Sequence, residues 1–181
     1  MVLLVPKADI AAVLSLFHKN KEIIVIFRFY CVLLWRFLIK RLSMTIKEYF
    51  EGDRFAMDAG IIIDEIKEGY ALLHMTVDER HLNGAGWCQG GAIFTLADLA
   101  FACATNSRGV PTVTVAANIT LLRPVAPGTR LTAEARETFD HKTLPFAEVR
   151  VTDDTGQLMA VMTSSGYRRH HAPPLGFEDK P

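Results

Sequence analysis

The sequence predicts an α+β fold in which one long buried helix packs on an antiparallel sheet. Residues 89–106 read QGGAIFTLADLAFACATN, a run of helical length with almost no polar face. A helix that is apolar on every side is a buried helix. Strand-like segments joined by short turns lie on either side of this run. Because short turns join neighbouring strands of opposite direction, we expect an antiparallel sheet with the helix on one face.

The chain before the central helix predicts a short helix, a hairpin and a loop. Thr45 and Glu48 have the spacing of a capping box, which marks the start of a helix. Gly69 lies in a short polar turn between two aliphatic segments, which is typical of a hairpin. The expected elements are a helix at 45–52 that 53–57 continue or turn, strands at 61–66 and 70–77, and a loop at 78–88.

The chain after the central helix predicts four more strands and a tail. Gly109 ends the helix, and turns that contain proline or glycine separate the alternating segments that follow. A polar, proline-containing stretch is expected from Arg168 onward. The domain is expected over 44–168 and the flexible tail over 169–181. The expected strands are 112–122, 129–139, 146–153 and 157–167.

Composition limits the classes of partner. The 181 residues carry 20 basic and 20 acidic side chains, so the formal net charge is zero and no general attraction to nucleic acid is expected. The three cysteines, Cys31, Cys88 and Cys103, have no CxxC spacing. This pattern predicts reduced thiols in a cytoplasmic protein, without a metal site.

Residues 1–43 differ from the rest of the chain. They carry seven basic and two acidic side chains, and Ile23–Ile39 is apolar except for Arg28 and Arg36. Three interpretations stay open: translated upstream sequence before a true start at Met44, a basic amphipathic helix on or across a membrane, and a docked structural helix. Contact with a membrane is expected only if this N-terminal extension is native.

One carboxylate in the middle of the central helix is the main candidate for chemistry. Asp98 lies among leucine, alanine and phenylalanine, and a buried carboxylate usually has a partner, a raised pKa or a catalytic role. Gly90 and Gly91 at the helix start let a ligand approach N–H groups that have no partner within the helix. The helix dipole favours negative charge there, which suits a carbonyl oxygen that becomes negative during attack.

The spacing of these groups predicts a dimer. Gly90 and Asp98 are eight residues apart, or about 12 Å along a helix. One reacting carbonyl cannot contact both groups of the same helix, because reacting atoms approach to about 3–3.5 Å. If both groups act on one substrate, they come from two helices. A two-fold dimer with antiparallel central helices supplies two such sites.

Three motifs together resemble the PaaI-type hotdog-fold acyl-CoA thioesterases. They are His81–Ala102 (HLNGAGWCQGGAIFTLADLAFA), Asn118–Pro124 (NITLLRP) and Pro127–Leu131 (PGTRL). The resemblance covers roughly residues 53–168 and implies a curved antiparallel sheet wrapped around the helix. It also implies a homodimer, often within a homotetramer, that hydrolyses acyl-CoA to free acid and CoA at the dimer interface. No cofactor is implied, because CoA enters as part of the substrate.

The resemblance further implies roles for individual residues. The Gly90 amide would polarise the thioester carbonyl, and Asp98 of the partner subunit would act as nucleophile or general base. Asn83 in the preceding loop would assist at the site. The residues expected to bind substrate are Gln89, Gly91, Thr114 and Arg123.

One departure from the family pattern supports a different function. The family usually has histidine immediately before the two glycines, whereas this chain has Gln89, which forms hydrogen bonds but does not titrate near neutral pH. The alternative function is therefore a non-catalytic acyl-CoA-binding hotdog protein, a sensor or regulator. A hotdog hydratase is a third option, although no histidine lies between His81 and His141.

Structural interpretations of the same residues stay open beside the catalytic ones. Asp98 could be a helix residue without chemistry, the two glycines could serve close packing, and Asn83 could be a turn former. A thiol nucleophile at Cys88, with His81 as its base, is a further alternative.

Overall fold

The computed structural model describes residues 44–170 and shows one sheet with a long helix packed against it. All sheet pairings are antiparallel, in the order β1-β2-β4-β5-β6-β3. The strands are Ile62–Lys67 (β1), Tyr70–Thr76 (β2), Thr112–Leu121 (β3), Arg130–Phe139 (β4), Phe146–Thr152 (β5) and Leu158–Arg168 (β6). The helices are Ile46–Phe50 (α1), Arg54–Asp58 (α2) and Gly90–Asn106 (α3), with a 3₁₀ turn at Glu79–His81. The expected α+β architecture is confirmed, and the strand ends agree with the sequence prediction to within one residue.

The two short N-terminal helices begin at side-chain caps. The Thr45 hydroxyl accepts a hydrogen bond from the Glu48 amide at 3.2 Å, and the Glu48 carboxylate accepts one from the Thr45 amide at 2.7 Å. The predicted capping box is therefore confirmed. The chain does not continue this helix, because Asp53 starts a separate one by accepting from the Ala56 amide at 3.2 Å.

The central helix α3 is buried because its apolar side chains pack on the inner face of the sheet. Leu96 and Ala100 on the helix are fully buried, as are Leu73, Ala133 and Met162 on three of the strands. Burial of apolar area contributes about 25 cal/mol per Å², which makes this layer the main source of stability. The central strands of the sheet thus hold α3 in a fixed position.

The C-terminal end of α3 is held by one amide side chain. The Asn106 side-chain nitrogen donates to the Ala102 carbonyl at 2.9 Å and to the Thr112 carbonyl at 3.0 Å. Its oxygen accepts from the Thr112 amide at 2.7 Å. Asn106 therefore couples the end of the helix directly to the first residue of β3, and Gly109 supplies the left-handed turn between them, with φ of 75°.

Strand β3 forms one open edge of the sheet. Among residues 44–170 it pairs only with β6, and most of its side chains are exposed, including Val113 at 47% and Val115 at 62%. An edge strand presents unpaired backbone groups and is a ready template for pairing with another chain. Its pairing with β6 places Leu121 opposite Ala160, whose side chain is buried on the inner face.

The interpretation of Arg168 as the first residue of a polar tail is wrong. Arg168 is the last residue of β6 and its side chain is only 6% exposed, in an ion pair with Glu137. Its guanidinium also bonds Asp140 at 2.5 Å and the His141 carbonyl at 2.9 Å, while Arg108 pairs with Glu137 from the end of α3. A buried charge requires such partners. These partners are distant from Arg168 along the chain, so composition alone did not predict the contacts.

The chain beyond β6 keeps contact with the fold as far as it is described. The Arg169 amide donates to the Pro111 carbonyl at 2.7 Å, and the His170 ring bonds the Lys142 carbonyl. The expectations for the N-terminal extension and for residues 171–181 lie outside the described residues. Within 44–170, the longest helix falls short of the length and apolar character that a bilayer span requires.

Candidate active site

The start of α3 leaves one backbone donor open. Gln89 is the residue that caps the helix, and its side-chain oxygen accepts a hydrogen bond from the Gly91 amide. The Ala92 amide donates to the Gln89 carbonyl at 2.9 Å. The Gly90 amide has no acceptor among the residues that the structure describes. The first turn therefore presents the Gly90 N–H as its free donor, at the positive end of the helix dipole.

The two glycines lie close to different side chains. A Cβ atom built on Gly90 would lie 2.6 Å from Cδ1 of Leu121, at the end of β3. A Cβ atom built on Gly91 would lie 2.6 Å from the Gln89 side-chain oxygen. A side chain at residue 90 would therefore displace the end of the Leu121 side chain, and one at residue 91 would displace the Gln89 amide.

The loop before α3 is anchored by a buried histidine, His81. The Asp78 amide donates to Nδ1 of His81 at 3.0 Å, so the ring proton is on Nε2, which donates to the Ala59 carbonyl at 2.8 Å. The His81 carbonyl accepts from the Gln89 amide at 2.7 Å. This chain of bonds fixes the residue from which α3 starts. His81 is buried and fully used in this anchor, so it has no role as a base for Cys88.

Asn83 shapes the same loop. Its side-chain oxygen accepts from the Ala85 amide at 2.9 Å and from the Trp87 amide at 3.2 Å. The interpretation of Asn83 as a turn former is thus confirmed. The oxygen is occupied, whereas the side-chain NH₂ group of this exposed residue has no partner among residues 44–170.

Asp98 lies two turns further along α3, beside the open edge strand. The Thr114 hydroxyl donates to Oδ1 of Asp98 at 3.1 Å. Burial raises the pKa of Asp98, the Thr114 hydrogen bond opposes this, and the negative charge of Asp53 raises the pKa further. A half-buried carboxylate with a raised pKa and a single hydroxyl partner has the character of a base or nucleophile. The influence of Asp53 has no signal in the sequence, because the two carboxylates are far apart along the chain.

Helix α3 and strand β3 form a seam that joins these groups. Gly90, Phe94 and Asp98 follow one another at four-residue spacing on one side of the helix. On the strand, Leu121 contacts Gly90 and Thr114 bonds Asp98. The seam is thus apolar at the start of the helix and polar near Asp98. Leu121 is not among the residues predicted for the site from sequence, although strand alternation in NITLLRP indicates which face it lies on.

Of the other residues singled out in the sequence, Arg123 lies at the end of β3, and the two described cysteines are inert. The Arg123 guanidinium donates to the Leu158 carbonyl at 2.5 Å, which holds it at the end of β3. Burial raises the pKa of Cys88 to about 11 and raises that of Cys103 as well. A thiol with such a pKa is not a nucleophile at neutral pH, which contradicts the Cys88 alternative. Among residues 44–170, no three His, Cys, Asp or Glu side chains are grouped to hold a metal ion.

Comparison with known proteins identifies the family. The family described as the thioesterase superfamily matches residues 85–160. Acyl-coenzyme A thioesterase PaaI of Escherichia coli is 36% identical over 119 residues, which cover 66% of this chain and 85% of PaaI. The solved structure of E. coli PaaI, from the phenylacetic acid degradation operon, matches 67% of this chain and 88% of that chain with a TM-score of 0.65. The chain belongs to the PaaI-type hotdog thioesterases.

Two further relatives extend this family assignment. Human acyl-coenzyme A thioesterase 13 is 36% identical over 97 residues, which cover 51% of this chain and 68% of the human protein. The Streptococcus mutans protein smu.793, solved bound to acetyl CoA, is 27% identical, with a TM-score of 0.59 over 60% of this chain and 88% of that one. The family confirms the expected hotdog fold and the expected enzyme class, a hydrolase that acts on thioester bonds.

Proposed function

We propose that this thioesterase hydrolyses acyl-CoA at a site shared by two copies of the chain. The observation that carries the proposal is the half-buried Asp98, bonded to Thr114 and eight residues from the free Gly90 N–H on the same helix. The two groups are about 12 Å apart along the helix axis. One thioester carbonyl therefore contacts Gly90 of one subunit and Asp98 of the partner subunit.

The open edge of β3 supports a homodimer of this kind. β3 carries Thr114 beside Asp98 and Leu121 beside Gly90, so a second copy that pairs along this edge brings its own seam next to the first. A homotetramer built from two such dimers is the larger assembly that we expect.

The chemistry follows from the two groups. The thioester oxygen accepts from the Gly90 N–H, which stabilises the negative charge that forms when the carbonyl carbon is attacked. Asp98 of the partner subunit takes a proton from a water molecule that attacks this carbon, or attacks the carbon itself and gives an anhydride that water then opens. The C–S bond breaks, and CoA leaves as the thiol after it takes up a proton. Thr114 orients the carboxylate in either route.

The remaining site residues bind substrate. Asn83 supplies a second donor from its free side-chain NH₂ group, and Gln89 with Gly91 shapes the first turn around the Gly90 N–H. Arg123 offers a cation near the open edge for the phosphates of CoA. The acetyl CoA bound to the S. mutans relative supports a CoA thioester as the ligand of this fold.

The test is release of free CoA thiol from a panel of acyl-CoAs with short, medium, long and aryl acyl groups. Wild-type protein is expected to release thiol from at least one member. Asp98→Asn, which keeps an oxygen for Thr114 and loses the titrating group, is expected to release none while it still binds the same acyl-CoA. Saturable binding by the wild type without release would overturn hydrolysis and favour the acyl-CoA sensor.

A further inference from the structure

We propose that Leu121 is the specificity-determining residue of this site, a wall that excludes acyl groups branched at the carbon next to the carbonyl. The proposal rests on the proposed function and adds a substrate preference to it. Leu121 is the last residue of β3, and neither composition nor the predicted catalytic residues assign it a role.

The position of Leu121 follows from its contact with Gly90. Its Cδ1 atom lies 2.6 Å from the place where a Cβ atom of residue 90 would be. Its methyl group therefore rests on the backbone of the residue whose N–H is free to bind the carbonyl oxygen. In this proposal, a carbonyl hydrogen-bonded to that N–H over about 2.9 Å has one of its substituents beside the Leu121 side chain.

The surroundings indicate which substituent faces Leu121. Leu121 and Ile119 lie on the inner side of β3, opposite the buried residues Ala160 and Met162. Phe94 and Ile119 pack against the core and continue the apolar lining of the seam. An acyl chain is apolar, whereas the pantetheine arm of CoA carries two amide groups. The acyl group thus lies against Leu121, and the arm of CoA extends toward solvent.

The Leu121 side chain is also placed to contact a substrate instead of packing in the core. It is 47% exposed in the single chain, so it is not committed to the core and is available to contact a substrate. The next residue, Leu122, is equally exposed at 45% but is not among the described residues within 4 Å of the Gly90 Cβ position. The two leucines are therefore a matched pair, in which only the first touches the reacting end of the site.

The test compares butyryl-CoA with isobutyryl-CoA, which have the same atoms and differ in branching at the carbon next to the carbonyl. We expect wild type to prefer butyryl-CoA in kcat/KM. Leu121→Ala is expected to reduce that preference at least about tenfold, since one methylene in a pocket is worth roughly 10- to 200-fold. Leu122→Ala is expected to leave the ratio unchanged. An unchanged ratio in Leu121→Ala, or an equal change in both variants, overturns the proposal.

A second variant tests the contact itself. Gly90→Ala keeps the N–H but places a methyl group against Leu121, and we expect it to lose at least tenfold in kcat/KM. Leu121→Ala in the same chain is expected to restore most of that loss. Failure of this rescue contradicts the contact. Absence of any turnover by wild type overturns the proposed function instead. The ratio of the Kd values for butyryl-CoA and isobutyryl-CoA, measured by calorimetry on wild type and both leucine variants, then decides the role of Leu121.

Discussion

Glu137 is expected to stabilise the fold more than any exposed acidic residue of the sheet. Its side chain is 2% exposed and pairs with two guanidinium groups, those of Arg108 and Arg168. Glu137→Gln keeps the shape of the side chain and removes its charge. Two buried or half-buried cations then face a neutral amide, and one of them, Arg168, is itself 6% exposed.

The size of the effect follows from what remains after the substitution. Removing one partner of a buried ion pair costs about 3–5 kcal/mol. The lower end applies here, because Arg168 keeps Asp140 at 2.5 Å and Arg108 keeps Glu68 at 3.0 Å. We therefore expect a loss of about 3 kcal/mol in the free energy of unfolding, which corresponds to a fall in Tm of roughly 10 °C for a domain of this size.

Thermal melts followed by circular dichroism at neutral pH measure this directly. Glu148→Gln is the control, because Glu148 is 41% exposed and its pair with Arg150 spans 3.4 Å, so its loss is expected to change the free energy by less than about 1 kcal/mol. The variants are compared below both melting temperatures for thiol release, where Glu137→Gln is expected to keep its activity. A Tm within 2 °C of wild type, or equal to that of the control, would refute the stabilising role of the cluster.

Three further predictions concern the site. Thr114→Val removes the hydrogen bond that lowers the pKa of Asp98, so the acid limb of the pH profile of kcat/KM is expected to move to higher pH. An acid limb at the wild-type pH would contradict a role for this hydrogen bond. Gly91→Ala displaces the Gln89 side chain, so it is expected to reduce kcat about as much as Gln89→Ala does. The double variant is expected to have the same kcat as either single variant, and additive losses would show that the two residues act independently. Burial keeps Cys88 protonated, so mass spectrometry is expected to find it unmodified after iodoacetamide treatment of native protein at pH 7.5. Rapid labelling would contradict this prediction, because it would show that the thiol is accessible.

Much of the fold was readable in the sequence because its signals are local. Alternation in β3 and β4, the capping box at Thr45 and the apolar run of α3 each depend on residues within one segment. These local signals placed all six strands and the central helix. The buried ion cluster was not readable, since Arg168 has the composition of a tail and its acceptors lie elsewhere in the chain.

Only part of the candidate site could be predicted from the sequence, because some of its contacts join segments that are distant along the chain. Asp98 and Gly90 stand out within one helix, and their spacing predicts a second subunit if both act on one substrate. The sequence did not show that Gln89 occupies the Gly91 amide, because that depends on a side-chain conformation. The packing of Leu121 on Gly90 joins two segments about thirty residues apart, so it required the structure. The cytoplasmic location stays a prediction from composition.

In the proposed dimer, each active site takes its N–H donor from one subunit and its carboxylate from the other. The first chain for this test carries Gly90→Pro, which removes the N–H; proline is tolerated at the first helical position, and Gln89 already has the extended backbone that proline requires, with ψ of 134°. Leu121→Ala in the same chain makes room for the ring. The second chain carries Asp98→Asn.

The measurement is thiol release by mixed dimers of these two chains, co-expressed with different tags and purified through both. Each parent homodimer is expected to be inactive. In the mixed dimer, one of the two sites keeps an intact Gly90 and an intact Asp98, so we expect about half of the wild-type rate per dimer. A mixed dimer as inactive as its parents would contradict the two-subunit site, because it would show that both groups must come from the same chain.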